Sequence, residues 1–128
     1  MDQSTPERES CGFGAVCPVL ATRNVMETAR WYRDVLGFQI DNQWSSDDWA
    51  MLWADDSQLF LRLDPEVAAK AEGQQVLIAA PDVDAVYERH KAKRANIVSP
   101  LENKPWGPRE YTVKDPSRYH LRFQKWIG

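Results

Sequence analysis

The stretch WAMLWADDSQLFLRL, Trp49 to Leu63, alternates its side chains on both sides of an acidic pair. Successive residues of a strand point to opposite faces. Trp49, Met51 and Trp53 therefore share one face, with Ala50 and Leu52 on the other. After a tight turn at Asp55-Asp56, Phe60 and Arg62 share a face opposite Leu59, Leu61 and Leu63. The pattern predicts two short strands, Trp49–Ala54 and Ser57–Leu63, joined as a hairpin.

Upstream, Ala15–Thr22 reads as a buried strand interrupted by Pro18. Proline has no N–H for a ladder, which predicts an edge strand or a place where pairing changes partner. Asn24 caps a helix, with Glu27 in the capping-box position. Val25, Ala29, Tyr32 and Leu36 fall on one helical face, and Gly37 supplies the left-handed stop. Phe38–Trp44 reads as a further strand. Downstream, Asp64–Gln74 is a polar link, and then the order begins again. Gln75–Ala80 is a strand, and Asp82 caps a helix with Val83, Val86, Tyr87 and His90 on its apolar face. Asn96–Leu101, Glu110–Lys114 and Tyr119–Lys125 are three more strands, the last two joined by the turn Asp115–Arg118. The halves share a local echo, Leu61-Arg62-Leu63 and Leu121-Arg122-Phe123. The expected fold is α+β, with two tandem βαβββ modules over residues 15–63 and 75–125. They form a single domain, 14–128, behind a flexible arm, 1–13. Each sheet has one face covered by its helix, and the other must curve around a ligand, a partner, or both.

At 128 residues the chain is one domain that can bury a core without staples. A net charge of −3 gives nucleic-acid binding no electrostatic support. No apolar run reaches membrane-spanning length, and the first ten residues lack a signal-peptide pattern. With two cysteines that make no disulfide framework, this predicts a cytoplasmic protein. Asp41 to Glu66 holds seven acids and one base, whereas Arg89 to Lys125 holds ten bases and three acids. This reads either as two solvated faces or as complementarity within a chain or across a dimer. Six tryptophans must serve a core or a flat-faced ligand.

The doubled order, with CPVLATRNV, ARWYRDVLGF and KPWGPREYTVKDPSRYHLRF, resembles the vicinal oxygen chelate superfamily of glyoxalases, extradiol dioxygenases and bleomycin resistance proteins. Pro18, WYRDVLGF (31–38), SDDWAMLWADDSQLFLRL (46–63), and Pro105-Trp106-Gly107 before Asp115-Pro116 bring it nearest to the bleomycin resistance proteins. The resemblance implies a homodimer with ligand cavities where concave sheets of different subunits meet. Pro18 matches a proline that lets the N-terminal strand cross to the partner, Phe13 included.

Enzymes of this superfamily hold a divalent metal with His and Glu ligands from the first and last strands of each module. Here the matching positions carry Cys17, Gln75 (or Val76, one register on), Arg62 and Arg122. Arginine has no lone pair to offer a metal, so no metal and no cofactor is expected. His90 reads as a core-edge residue. His120 and Arg122 share a strand face, with His120 either a half-exposed strand residue or the acid–base group of a metal-free reaction in which Arg122 is the electrostatic group. The resemblance puts Trp44, Trp49 and Trp106 on pocket positions, where indoles would clamp a planar ring. Asp47 and Asp48 stand at the rim. Trp31, Trp53 and Trp126 read as packing residues. Two inward arginines would repel a cationic ligand unless acids neutralise them, and would suit a carboxylate.

The sequence thus points to a non-catalytic binder of a planar aromatic small molecule. Its expected ligand-binding residues are Trp44, Trp49, Phe60, Arg62, Trp106, His120 and Arg122, with no catalytic residue. The alternative is a glyoxalase-like lyase or dioxygenase with an atypical or absent metal site.

Overall fold

The structure, a computed structural model, describes residues 10–43 and 45–126. Trp44 and residues 1–9 of the expected arm lie outside the described residues. The first module runs β1 (Val19–Thr22), α1 (Val25–Trp31), β2 (Gln39–Ile40), β3 (Trp49–Ala54) and β4 (Ser57–Leu63). A short helix, α2 (Pro65–Ala68), follows. The second module is β5 (Gln75–Ala79), α3 (Val83–Ala92), β6 (Ile97–Asn103), β7 (Pro108–Lys114) and β8 (His120–Trp126). The sheets repeat one topology, β1-β4-β3-β2 and β5-β8-β7-β6. In each, the first strand runs parallel to the last and the remaining pairs are antiparallel. The expected α+β architecture of two tandem βαβββ modules is what the chain forms.

The hairpin of β3 and β4 has the bounds that its alternation predicts, with Asp55 left-handed at its turn (φ 51°). β1 is an edge strand, as Pro18 requires, but it is shorter than expected. It begins only after Pro18, whose carbonyl accepts the Phe60 N–H at 3.0 Å. On the outer side of β1, the Ala21 N–H donates to Tyr119 Oη at 3.0 Å. A buried edge donor thus finds its partner in the other module, which spares the chain an orphaned N–H.

Asn24 caps α1 by accepting the Glu27 N–H at 3.0 Å. The reciprocal arm of the box goes elsewhere, because the Asn24 N–H turns to Thr22 Oγ1. Beyond Trp31 the helix widens into one π-helical turn, Tyr32–Leu36, and Gly37 ends it at φ 92°. The strand expected over 38–44 is reduced to Gln39–Ile40. The link 64–74 is more than a tether. Asp64 caps α2 through the Val67 N–H, and Ala68 and Ala71 are buried. Asp82 precedes α3 without a side-chain cap bond, against expectation.

One hydrophobic cluster spans both modules. It holds Leu20, Val25, Ala29, Tyr32, Leu52, Leu59 and Leu61 from the first and Val83, Tyr111, Val113, Leu121 and Phe123 from the second. Polar bonds fasten the modules inside it. Tyr32 Oη donates to Asp115 Oδ2 at 2.6 Å, while Asp115 Oδ1 accepts the Ser117 and Tyr119 N–H groups. His90 lies between Leu36 O (3.2 Å) and the Tyr111 hydroxyl (2.7 Å at Nδ1), which fits the neutral ring with its proton on Nε2. Burial pushes the His90 pKa below its ordinary value. The core-edge reading of His90 therefore holds. So does the packing role of Trp31, which meets Tyr32 edge-to-face at 5.1 Å.

Candidate functional site

Because the helices and core take one face of each sheet, the alternate residues of every strand are left on an open face. On the first sheet these are Trp49, Met51 and Trp53 of β3 and Gln58, Phe60 and Arg62 of β4. Register sets Met51 opposite Phe60 and Trp49 opposite Arg62. The Trp49 indole lies over the Phe60 ring with centroids 5.1 Å apart and planes 28° from parallel. The pair forms one half-buried aromatic wall. The Gln58 amide donates to Met51 Sδ at 3.4 Å and accepts the Cys17 thiol at 3.1 Å, so it braces the wall from below. Arg62 folds back on Asp64, 2.9 Å away.

The open face of the second sheet is polar and tightly connected. Arg122 Nε and Nη2 donate to the two carboxylate oxygens of Glu110, each at 3.0 Å, and Nη1 donates to Gln75 at 2.7 Å. Gln124 donates to Glu110 at 3.0 Å and accepts the Trp126 indole N–H at 2.8 Å. Five residues on β5, β7 and β8 thus form one hydrogen-bonded strip. Alternation of Glu110, Thr112 and Lys114 with Tyr111 and Val113 carries the signal for this strip. Its pairing depends on register, which sets Glu110 opposite Gln124 and Thr112 opposite Arg122.

Trp106 stands on the turn between β6 and β7, 56% exposed, with Lys104 Nζ 5.8 Å from its ring. The neighbouring glycine has a steric reason. At φ 123°, a Cβ on Gly107 would sit 2.6 Å from the Trp126 ring. Trp126 itself is largely exposed rather than sealed into a sheet edge, and Trp53 is exposed as well.

The structure therefore divides the expected site. Trp49, Phe60 and Arg62 share the first open face, and His120 and Arg122 share the second, with Trp106 on a turn of the second module. Trp44 lies outside the described residues. Clefts of about 290, 400 and 480 Å³ within the single chain are lined by other residues.

The positions that carry metal ligands in the superfamily's enzymes do not fit a divalent ion here. Gln75 points to the open face and is bonded by Arg122, while Val76 lies on the core side. Arg62 and Arg122 bring positive charge where carboxylates would be needed. Among the described residues, no three His, Cys, Asp or Glu side chains gather as a ligand set.

Arg62 and Arg122 are both matched by acids, Asp64 and Glu110, so neither stands as a free anion receptor on its face. The repulsion expected for a cationic ligand is correspondingly reduced.

Comparison with known proteins places this geometry. No curated protein matches the chain. Among solved structures, TioX from Micromonospora sp. ML1 is 28% identical, with a TM-score of 0.71 over 89% of this chain and 100% of TioX. The bleomycin-binding protein of bleomycin-producing Streptomyces verticillus, complexed with copper(II)-bleomycin, is 25% identical, with a TM-score of 0.73 over 89% and 97%. A second bleomycin-binding protein, complexed with bleomycin, has the same fold at 22% identity, with a TM-score of 0.75 over 88% and 98%. A family model described as the Glyoxalase/Bleomycin resistance protein/Dioxygenase superfamily matches residues 14–123. The doubled modules and the family match over residues 14–123 agree, and the chain belongs to the glyoxalase/bleomycin resistance protein/dioxygenase superfamily.

Proposed function

We propose that this chain is a non-catalytic, homodimeric binding protein that sequesters a planar aromatic ligand between open sheet faces of two copies. The observation that carries the reading is the Trp49–Phe60 stack, a ready aromatic surface on a face that the chain leaves open. Stacked aromatic pairs contribute about 0.5–1.5 kcal/mol each beyond area burial, which suits a heteroaromatic ring laid against this wall. Trp106, and Trp44 from its place in the sequence, would complete the clamp. Arg62, His120 and Arg122 would set its polarity. Bleomycin complexes of the similar proteins support a small-molecule role.

A second copy is part of the reading because a single open sheet shields one side of a ligand, whereas ligand sites are concave and enclosing. The segment before β1 suits an arm that crosses to it. Phe13 and Val16 are 90% and 94% exposed, and each would be stabilised by burial against a second copy. Among the described residues, no helix is long and apolar enough to cross a membrane. Cys11 and Cys17 are free thiols, which fits a reducing cytoplasmic setting.

The test is tryptophan emission during titration with bleomycin-type drugs and other planar heteroaromatics. Saturable quenching with one compound bound per protomer is expected. Unchanged emission across the series would overturn the reading.

A further inference from the structure

We propose that Lys114, Arg118 and His120 form a carboxylate-binding subsite at the end of the second open face, which Glu72 occupies until a ligand's carboxylate displaces it. Three basic groups from β7, the following turn and β8 converge on this one side chain. Lys114 Nζ is 3.1 Å from Glu72 Oε2, His120 Nε2 is 3.6 Å from the same oxygen, and Arg118 Nη1 is 3.7 Å from Oε1.

Glu72 fills this site poorly. Only the lysine is within hydrogen-bond reach. The guanidinium and imidazole stand beyond it, and His120 Nε2 is shielded from solvent with no hydrogen-bond partner. Lys114 and Arg118 bring two positive charges against one carboxylate, so the cluster keeps a net attraction for anions. A free carboxylate can move to meet two or three donors together, which a side chain tied to the backbone cannot.

Glu72 is also placed to leave. It is exposed, belongs to no helix or strand, and precedes Gly73, whose φ of 84° marks a turn. The Lys114 hydrogen bond holds its carboxyl below the ordinary value, so it is the charged competitor at neutral pH. Arg118 adopts φ 73°, a conformation that glycine would take without strain. Arg122 differs. Its two bonds to the 3%-exposed Glu110 are not ones a ligand can exchange.

The subsite is continuous with the proposed ligand surface, since His120 lies two residues from Arg122 on β8 and opposite Gln75 of β5. A ligand with its ring on the aromatic surface and a carboxylate at this end would use both. That joint use rests on the binding reading above. The subsite itself can be read with acetate, which has no ring.

The experiment follows the imidazole NMR signals of His120 at fixed pH while acetate is added to the wild type, to Glu72→Gln, and to Glu72→Gln/Lys114→Met. Acetamide serves as the neutral control. An internal competitor lowers apparent affinity by the fraction of time it occupies the site. Saturable shifts are expected with a midpoint about tenfold lower in Glu72→Gln than in the wild type. The double variant should lose saturation, and acetamide should cause none. Matching melting temperatures would show that the variants are folded. Equal midpoints with and without Glu72, no saturation in Glu72→Gln, or an equal response to acetamide would overturn the subsite. If acetate binds while every planar aromatic fails to quench tryptophan, the stacking reading falls and the anion subsite stands.

Discussion

Arg122 and Glu110, diagonal neighbours on adjacent strands, form a two-bonded pair, Nε to Oε2 and Nη2 to Oε1, both at 3.0 Å. The partners are unequally buried. The Arg122 side chain keeps 22% of its exposure and Glu110 only 3%. This asymmetry orders the effects of breaking the pair. Arg122→Ala strands a buried carboxylate and should cost about 3–5 kcal/mol. Glu110→Gln leaves a guanidinium that water can reach and should cost about 1.5–3 kcal/mol. Urea unfolding of both variants measures the order, and equal losses would show that burial does not govern it.

Tyr32 and Asp115 join the two modules through one 2.6 Å bond inside the shared core. Burial pushes the Asp115 carboxyl above its ordinary value and the Tyr32 phenol well above its own, so the phenol remains the donor. Tyr32→Phe keeps the ring and removes the hydroxyl. It should lower stability by about 1–3 kcal/mol through the unpaired oxygen of Asp115. Denaturant midpoints should fall with an unchanged slope, since the fold keeps its compactness.

His90 makes stability depend on pH. Its folded pKa lies below the ordinary 6.5 because of burial, so the unfolded chain binds a proton first as pH falls. Its contribution is therefore present above about pH 6.5 and is lost as pH falls through the lowered folded value. Melting temperature should drop between pH 7.5 and 5.5. His90→Gln should flatten that slope while lowering the plateau, and an unaltered slope would locate the titration elsewhere.

Trp49 should matter for binding more than for folding, because its indole is only half-buried and rests on Phe60. For a planar ligand found by fluorescence, Trp49→Ala should raise Kd by roughly 2- to 12-fold, the equivalent of about 0.5–1.5 kcal/mol. Calorimetric titration gives the value free of the lost fluorophore. An unchanged Kd would remove Trp49 from the site.

The exposed Phe13 and Val16 predict an association that depends on them. The wild type should sediment as a dimer. Phe13→Asp/Val16→Asp should shift the equilibrium toward monomer by at least tenfold in Kd, since two apolar side chains of this size are each worth about 1.5–3 kcal/mol when buried. Sedimentation across a concentration series reads both species, and a wild-type monomer at all concentrations would exclude the arm exchange.

The parts of this fold legible from sequence are those with strict local periodicity. The β3–β4 hairpin, the cap at Asn24, the stop at Gly37 and the doubled element order each follow from backbone geometry acting over a few residues. Elements that lean on distant partners carry a weaker local signal. The region 38–44 has strand-like composition, yet it pairs for only two residues, and the link 64–74 packs two alanines that its polar pattern conceals.

The candidate site divides in the same way. Alternation assigned Trp49, Phe60 and Arg62 to one face, because side-chain direction is a property of the strand itself. Alternation turns Arg62 and Arg122 inward but does not say which acids neutralise them. Register and side-chain reach then matched Arg122 with Glu110, and a turn of chain matched Arg62 with Asp64. Glu72 meeting Lys114, Arg118 and His120 has no sequence signature, since it joins positions more than forty residues apart. The sequence alone determined the faces, since they follow from local dihedral geometry. Only the tertiary structure decided which charges are compensated, because Coulomb interactions depend on distances that chain order does not specify.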